Sequence, residues 1–88
     1  MAYTKINHSE FDFIKVVAKE ILKLSMEFEG VIKLKTLRSG LNNRGCFFRV
    51  QEFKRVIKRL VNEEAILLFN KSRGFTTAKA SILYFLVS

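Results

Sequence analysis

Between Val50 and Asn62 the chain reads VQEFKRVIKRLVN, and wound as a helix this stretch separates into two faces. Val50, Phe53, Val56, Ile57 and Leu60 recur at intervals of three and four as an apolar stripe, while Gln51, Lys54, Arg55, Lys58, Arg59 and Asn62 fall mainly elsewhere. Such a face does not make or break bonds. Its guanidinium, ammonium and amide groups pair with phosphate oxygens or with the polar edges of bases, so a helix docked by the apolar stripe offers the basic one to a polyanion.

The residues that would support other chemistry are few. Cys46 is the one cysteine and His8 the one histidine, so neither an internal disulfide nor a zinc constellation can be assembled. His8-Ser9-Glu10 are adjacent by accident, paired carboxylates in an apolar setting are missing, and no Gly-rich phosphate loop precedes a helix. The chain therefore reads as a non-enzyme without cofactor or metal, with no small-molecule substrate evident. Cys46 reads as a small packing residue, although Arg44 and Arg49 beside it would lower its pKa if it were exposed. His8 reads as a surface residue.

Charge supports the polyanion. Sixteen Lys and Arg stand against eight Asp and Glu, a net charge of +8, and every acid lies between Glu10 and Glu64. The final 24 residues carry Lys71, Arg73 and Lys79 with no acid. With 49% hydrophobic residues, nine Phe and no Pro, the 88-residue chain is too apolar for a disordered tail and reads as one domain over residues 1–88. The start, MAYTKINHSE, lacks the apolar run of a signal peptide, and the run Ile82 to Val87 is too short to span a bilayer. These features predict a soluble protein of a reducing interior, cytoplasmic or nuclear, with no membrane partner.

The elements that must position the basic face follow from spacing. Ser9 stands where an N-cap belongs, and the first helix is expected from Ser9 to about Glu29, with Ile14, Val17, Ile21, Leu24 and Phe28 inward and Gly30 as the stop. Val31 to Leu34 alternates apolar residues with lysine as a short strand would. Lys35 to Leu41 predicts a short helix capped by Thr36, with Leu37 and Leu41 inward. Asn42 to Gly45 is a turn, which Phe47 and Phe48 pin to the core. A third helix from about Arg49 to Glu64 leads into Ile66 to Phe69. The basic segment Asn70 to Lys79 reads as a hairpin tip, and Ala80 to Val87 most simply as the returning strand, with a short helix over Ile82 to Val87 as the alternative.

The first helix carries a second apolar line through Phe11, Ala18, Leu22 and Met26. Either another segment of the chain folds over it or it is a homodimer seam. Lys15, Lys19 and Lys23 lie opposite its core and read as solvated.

The order helix, short strand, short helix, turn, helix, strand, basic loop, strand resembles a winged helix-turn-helix DNA-binding domain over roughly residues 9 to 88. The likeness rests on VIKLKTLRSGL for the first strand and second helix, VQEFKRVIKRLVNEEAILLF for the third helix into the next strand, and NKSRGFTTAK for the wing. The chain departs from that family in having Glu64 and Ala65 where a glycine is common, and in the long turn NNRGCFF. The resemblance implies an α+β, mainly α, fold of three helices with a small antiparallel sheet and a basic wing. It also implies a third helix in the major groove and a wing on the backbone or minor groove. Gln51, Arg55 and Lys58 are then the candidates for base edges, with phosphate the alternative for Lys58, and Lys54 and Arg59 are the candidates for phosphates. Arg73 would enter or overlie a minor groove, Lys71 and Lys79 would meet phosphates, and Arg38, Arg44 and Arg49 would clamp a strand, with Thr36 adding a neutral contact.

The function expected is that of a small sequence-specific transcriptional regulator binding double-stranded DNA as a homodimer through Phe11, Ala18, Leu22 and Met26. A winged-helix module that docks protein, or a non-specific nucleic-acid binder, is the alternative.

Overall fold

The computed structural model describes residues 10–69 and 73–87, and at residues 10, 11 and 87 the backbone alone. The expected cap Ser9, the histidine His8 and the loop lysine Lys71 lie outside the described residues. Four helices and a three-stranded antiparallel sheet form a small, mainly helical α+β domain: α1 (Glu10–Glu27), β1 (Ile32–Lys33), α2 (Leu34–Asn43), α3 (Val50–Asn62), β2 (Ile66–Phe69), β3 (Gly74–Thr77) and α4 (Lys79–Val87).

Helical periodicity explains the core. Ile14, Val17, Ile21 and Leu24 of α1, Leu37 and Leu41 of α2, and Phe53, Val56, Ile57 and Leu60 of α3 are all buried in one cluster. Two expected members are not. Phe28 is 48% exposed because α1 ends at Glu27, and Val50 is 58% exposed because it opens α3 at the helix edge. Phe48 stacks between Phe13 and Phe53, with ring centroids 5.4 and 5.2 Å away, and this ties the α2–α3 turn to the core. Phe47, expected to share that role, is exposed.

Both inner helices end in the same way. At the end of α2 the N–H of Gly45 donates to Asn42 and that of Cys46 to Leu41, with Gly45 at φ 82°. At the end of α3 the N–H of Glu64 donates to Val61 and that of Ala65 to Leu60, with Glu64 at φ 60°. These are paired Schellman closures, which need a left-handed residue just past the helix. Glu64 occupies the position where the resembling family often has glycine.

The C-terminal third corrects the expected layout. The returning strand is Gly74–Thr77, and Lys79–Val87 is a helix, which makes four helices in place of three. β3 is central in the order β1-β3-β2, with Ile32 opposite Phe75 on one side and Leu68 opposite Phe75 on the other. The N–H of Ala78 donating to Ala65 closes the ladder, and α4 starts directly after it. Ile82 and Phe85, three apart, are buried and dock α4 on α1. Period-two alternation would have buried Tyr84 instead, yet Tyr84 is 63% exposed, so packing overrides the β-propensity of the segment.

Gly74 has a steric reason. A Cβ there would sit 2.5 Å from Val31 Cγ1 and 2.9 Å from the Ile32 carbonyl oxygen, so only glycine lets β1 approach β3.

The second apolar line of α1 is covered in part. Ala18 is fully buried and Leu22 packs on the core, while α4 makes its contacts with α1; of the line, only Met26 is shown exposed, and the side chain of Phe11 lies outside the described residues. The chain itself covers Ala18 and most of Leu22 and leaves Met26 exposed.

Candidate functional site

A half-open groove of about 600 Å³ runs beside α3. Its floor is apolar: Leu34 from α2, Val50, Phe53, Ile57 and Val61 from α3, and Leu68 from β2. Its remaining lining residues are all cations: Lys33, Lys35, Arg38, Lys54, Lys58 and Arg73. No acid lines it among the described residues.

Three separate stretches bring these charges together. Lys54 and Lys58 are one helical turn apart on α3, on the flank beside Val50 and Val61. Lys33 and Lys35 flank Leu34 where β1 passes into α2, and Arg38 follows one turn later. The Arg38 guanidinium carbon lies 6.0 Å from the Phe53 ring centroid, the outer limit of a cation–π contact, which holds it over the groove floor. Arg73 arrives from the β2–β3 hairpin. Its backbone is left-handed at φ 52°, and its carbonyl accepts the N–H of Leu34 at 3.0 Å, so the hairpin is tied to the start of α2.

The structure sorts the expected residues. Arg38, Lys54, Lys58 and Arg73 share the groove. Gln51, Arg55 and Arg59 are exposed on α3 but do not line it. Arg49 is the α3 N-cap, exposed, and its backbone N–H donates to Glu52 Oε1 at 2.8 Å. Thr36 is not a cap: α2 begins at Leu34 with Lys33 in the capping position, which leaves Thr36 half-buried inside the helix. Arg44 is engaged within the chain, its Nε paired with the buried carboxylate of Glu20. Lys79 is the first residue of α4 and not part of a hairpin tip. Lys71 lies outside the described residues.

Sequence reasoning missed Lys33 and Lys35. The signal was the alternation Ile32-Lys33-Leu34-Lys35, which puts two lysines on either side of one apolar residue. The exposure on which Arg44 and Arg49 would lower the Cys46 pKa is not met. Cys46 is half-buried, and burial first, with the Glu52 carboxylate second, pushes its thiol above the ordinary value. Among the described residues no helix is long and apolar enough to cross a membrane, and no group of three or more His, Cys, Asp or Glu could hold a metal.

No protein family, no curated protein and no solved structure matches this chain.

Proposed function

We propose that this chain is a winged-helix DNA-binding protein, a small transcriptional regulator that reads duplex DNA with α3 and grips the backbone with the β2–β3 hairpin. The observation that carries the reading is the convergence of Arg38, Lys54, Lys58 and Arg73 from α2, α3 and the hairpin on one face with no lining acid. A net charge of +8 adds long-range attraction to phosphates. The order α1, β1, α2, α3, β2, β3 and the sheet order β1-β3-β2 suit a winged helix with α4 appended. In this reading the exposed Gln51 and Arg55 meet base edges, and the groove cations meet phosphates.

Selection of bound duplexes from a random pool tests it. Enrichment of one consensus supports sequence reading, and a palindromic consensus reports two copies on the site. Lys54→Ala or Arg38→Ala should weaken all sequences alike and lower the salt slope by about one ion, whereas Arg55→Ala should relax preference at one base pair by about 1–3 kcal/mol. No enrichment, with affinity indifferent to salt, would overturn the proposal.

A further inference from the structure

The apolar floor of the groove is more than phosphates require. A phosphate needs cations alone, and Phe53, only 5% exposed, presents no ring on which a base would stack. The open part of the floor is aliphatic, with Val50 58% exposed and Leu34, Val61 and Leu68 half-buried. An occupant must therefore bring aliphatic or aromatic side chains to the floor and several negative charges to the rim.

We infer that this groove is a docking site for an acidic amphipathic helix of a partner protein, whose apolar stripe enters the floor while its carboxylates meet the cations on both banks. Charge complementarity selects this occupant over others. A second copy of the chain would bring another +8 to a basic surface, and residues 1–9 of the chain itself contain Lys5 and no acid. A single-headed amphiphile such as a fatty acid would satisfy one or two of the six cations and leave the rest without partners. Cations spread over β1, α2, α3 and the hairpin match charges repeated along a helix, and a half-open trough matches a chain laid along it. The docking itself does not depend on DNA binding. Where both occur they exclude one another, because Arg38, Lys54, Lys58 and Arg73 serve both.

The experiment is a fluorescence-anisotropy titration of the full chain, without DNA, into a labelled synthetic peptide of about 16 residues with leucines at i, i+3, i+4 and i+7 and glutamates between them. Binding at roughly micromolar Kd is expected. Val50→Asp and Lys54→Glu, both at exposed positions, should each weaken it about tenfold, as should replacing the peptide's leucines with serine. Lys19→Glu, on exposed α1 surface outside the groove, should leave it unchanged. Equal binding of the leucine and serine peptides would overturn the site by reducing it to bulk electrostatics. Indifference to Val50→Asp would overturn it by placing the peptide elsewhere. Saturable binding of decanoate with none of the peptide would assign the groove to a small amphiphile instead. Failed duplex selection with salt-indifferent duplex affinity, while the peptide binds, would remove the DNA reading and leave this one standing.

Discussion

Glu20 of α1 and Arg44, the cap at the C-terminal end of α2, form an ion pair in which the acid side chain is 3% exposed and the guanidinium side chain 42% exposed. The pair explains a neighbouring glycine and the place of its own cation. Gly40 lies against the same carboxylate, where any Cβ would collide with Oε2, and Arg44 is held to the protein interior instead of a ligand.

Removing the cation strands a buried charge. Arg44→Ala is expected to lower unfolding free energy by about 2–4 kcal/mol, below the loss typical of a fully buried pair because part of the guanidinium already meets water. Gly40→Ala should destabilise by about 1–3 kcal/mol through overpacking on Glu20, although alanine is the better helix former by about 1 kcal/mol. Urea denaturation midpoints decide both, and a stabilising Gly40→Ala would refute the packing assigned to Glu20.

Glu64 closes α3 from the left-handed region, where a side chain costs roughly 1–2 kcal/mol that glycine does not incur. Glu64→Gly should therefore raise stability by about 1 kcal/mol, and Gly45→Ala, at the matching position after α2, should lower it by a similar amount. Thermal melts of the two variants should move in opposite directions.

Thr77 ends the central strand with its Oγ1 buried and, among the described residues, without a hydrogen-bond partner. An unsatisfied buried hydroxyl costs about 1–3 kcal/mol, and valine has the same shape without it. Thr77→Val should stabilise by about 1 kcal/mol. A loss measured by equilibrium unfolding would mean that the hydroxyl has a partner after all.

The Cys46 thiol keeps its proton more tightly in the folded chain than the ordinary value of 9.0 allows. Its contribution to stability is therefore complete below that value and is lost as pH rises through the higher folded-state value. The wild type should lose stability relative to Cys46→Ala only in this alkaline range. Iodoacetamide at neutral pH should modify Cys46 more slowly than it modifies a free cysteine peptide. Fast neutral alkylation would place the thiol in a different environment.

The helices whose apolar residues fall on one side were legible: apart from Phe28 and Val50 at the helix ends, the stripes of α1 and α3 and the Leu37–Leu41 pair of α2 reached the core. The helix over Lys79–Val87 was legible only as the alternative to a strand over Ile82 to Val87, because KASILYFLV is apolar in nearly every direction and no period stands out. β3 was hidden for the opposite reason. Gly74-Phe75-Thr76-Thr77 resembles loop chemistry, and its central place in the sheet depends on Ile32, which lies far away in sequence. Of the groove cations, Lys54 and Lys58 on α3 could be found by spacing alone. The engagement of Arg44 depended on Glu20 of another helix, and the place of Lys33 in the groove depended on Arg73 reaching the start of α2.

The docking of α4 on α1 joins the first and last described helices of the fold, and this contact is expected to form late in refolding. Bringing them together closes the longest loop available, an entropic toll met only once the intervening helices and sheet are in place. Truncations at Ile82 and Phe85 should then accelerate unfolding and leave the refolding limb of a chevron plot almost unmoved.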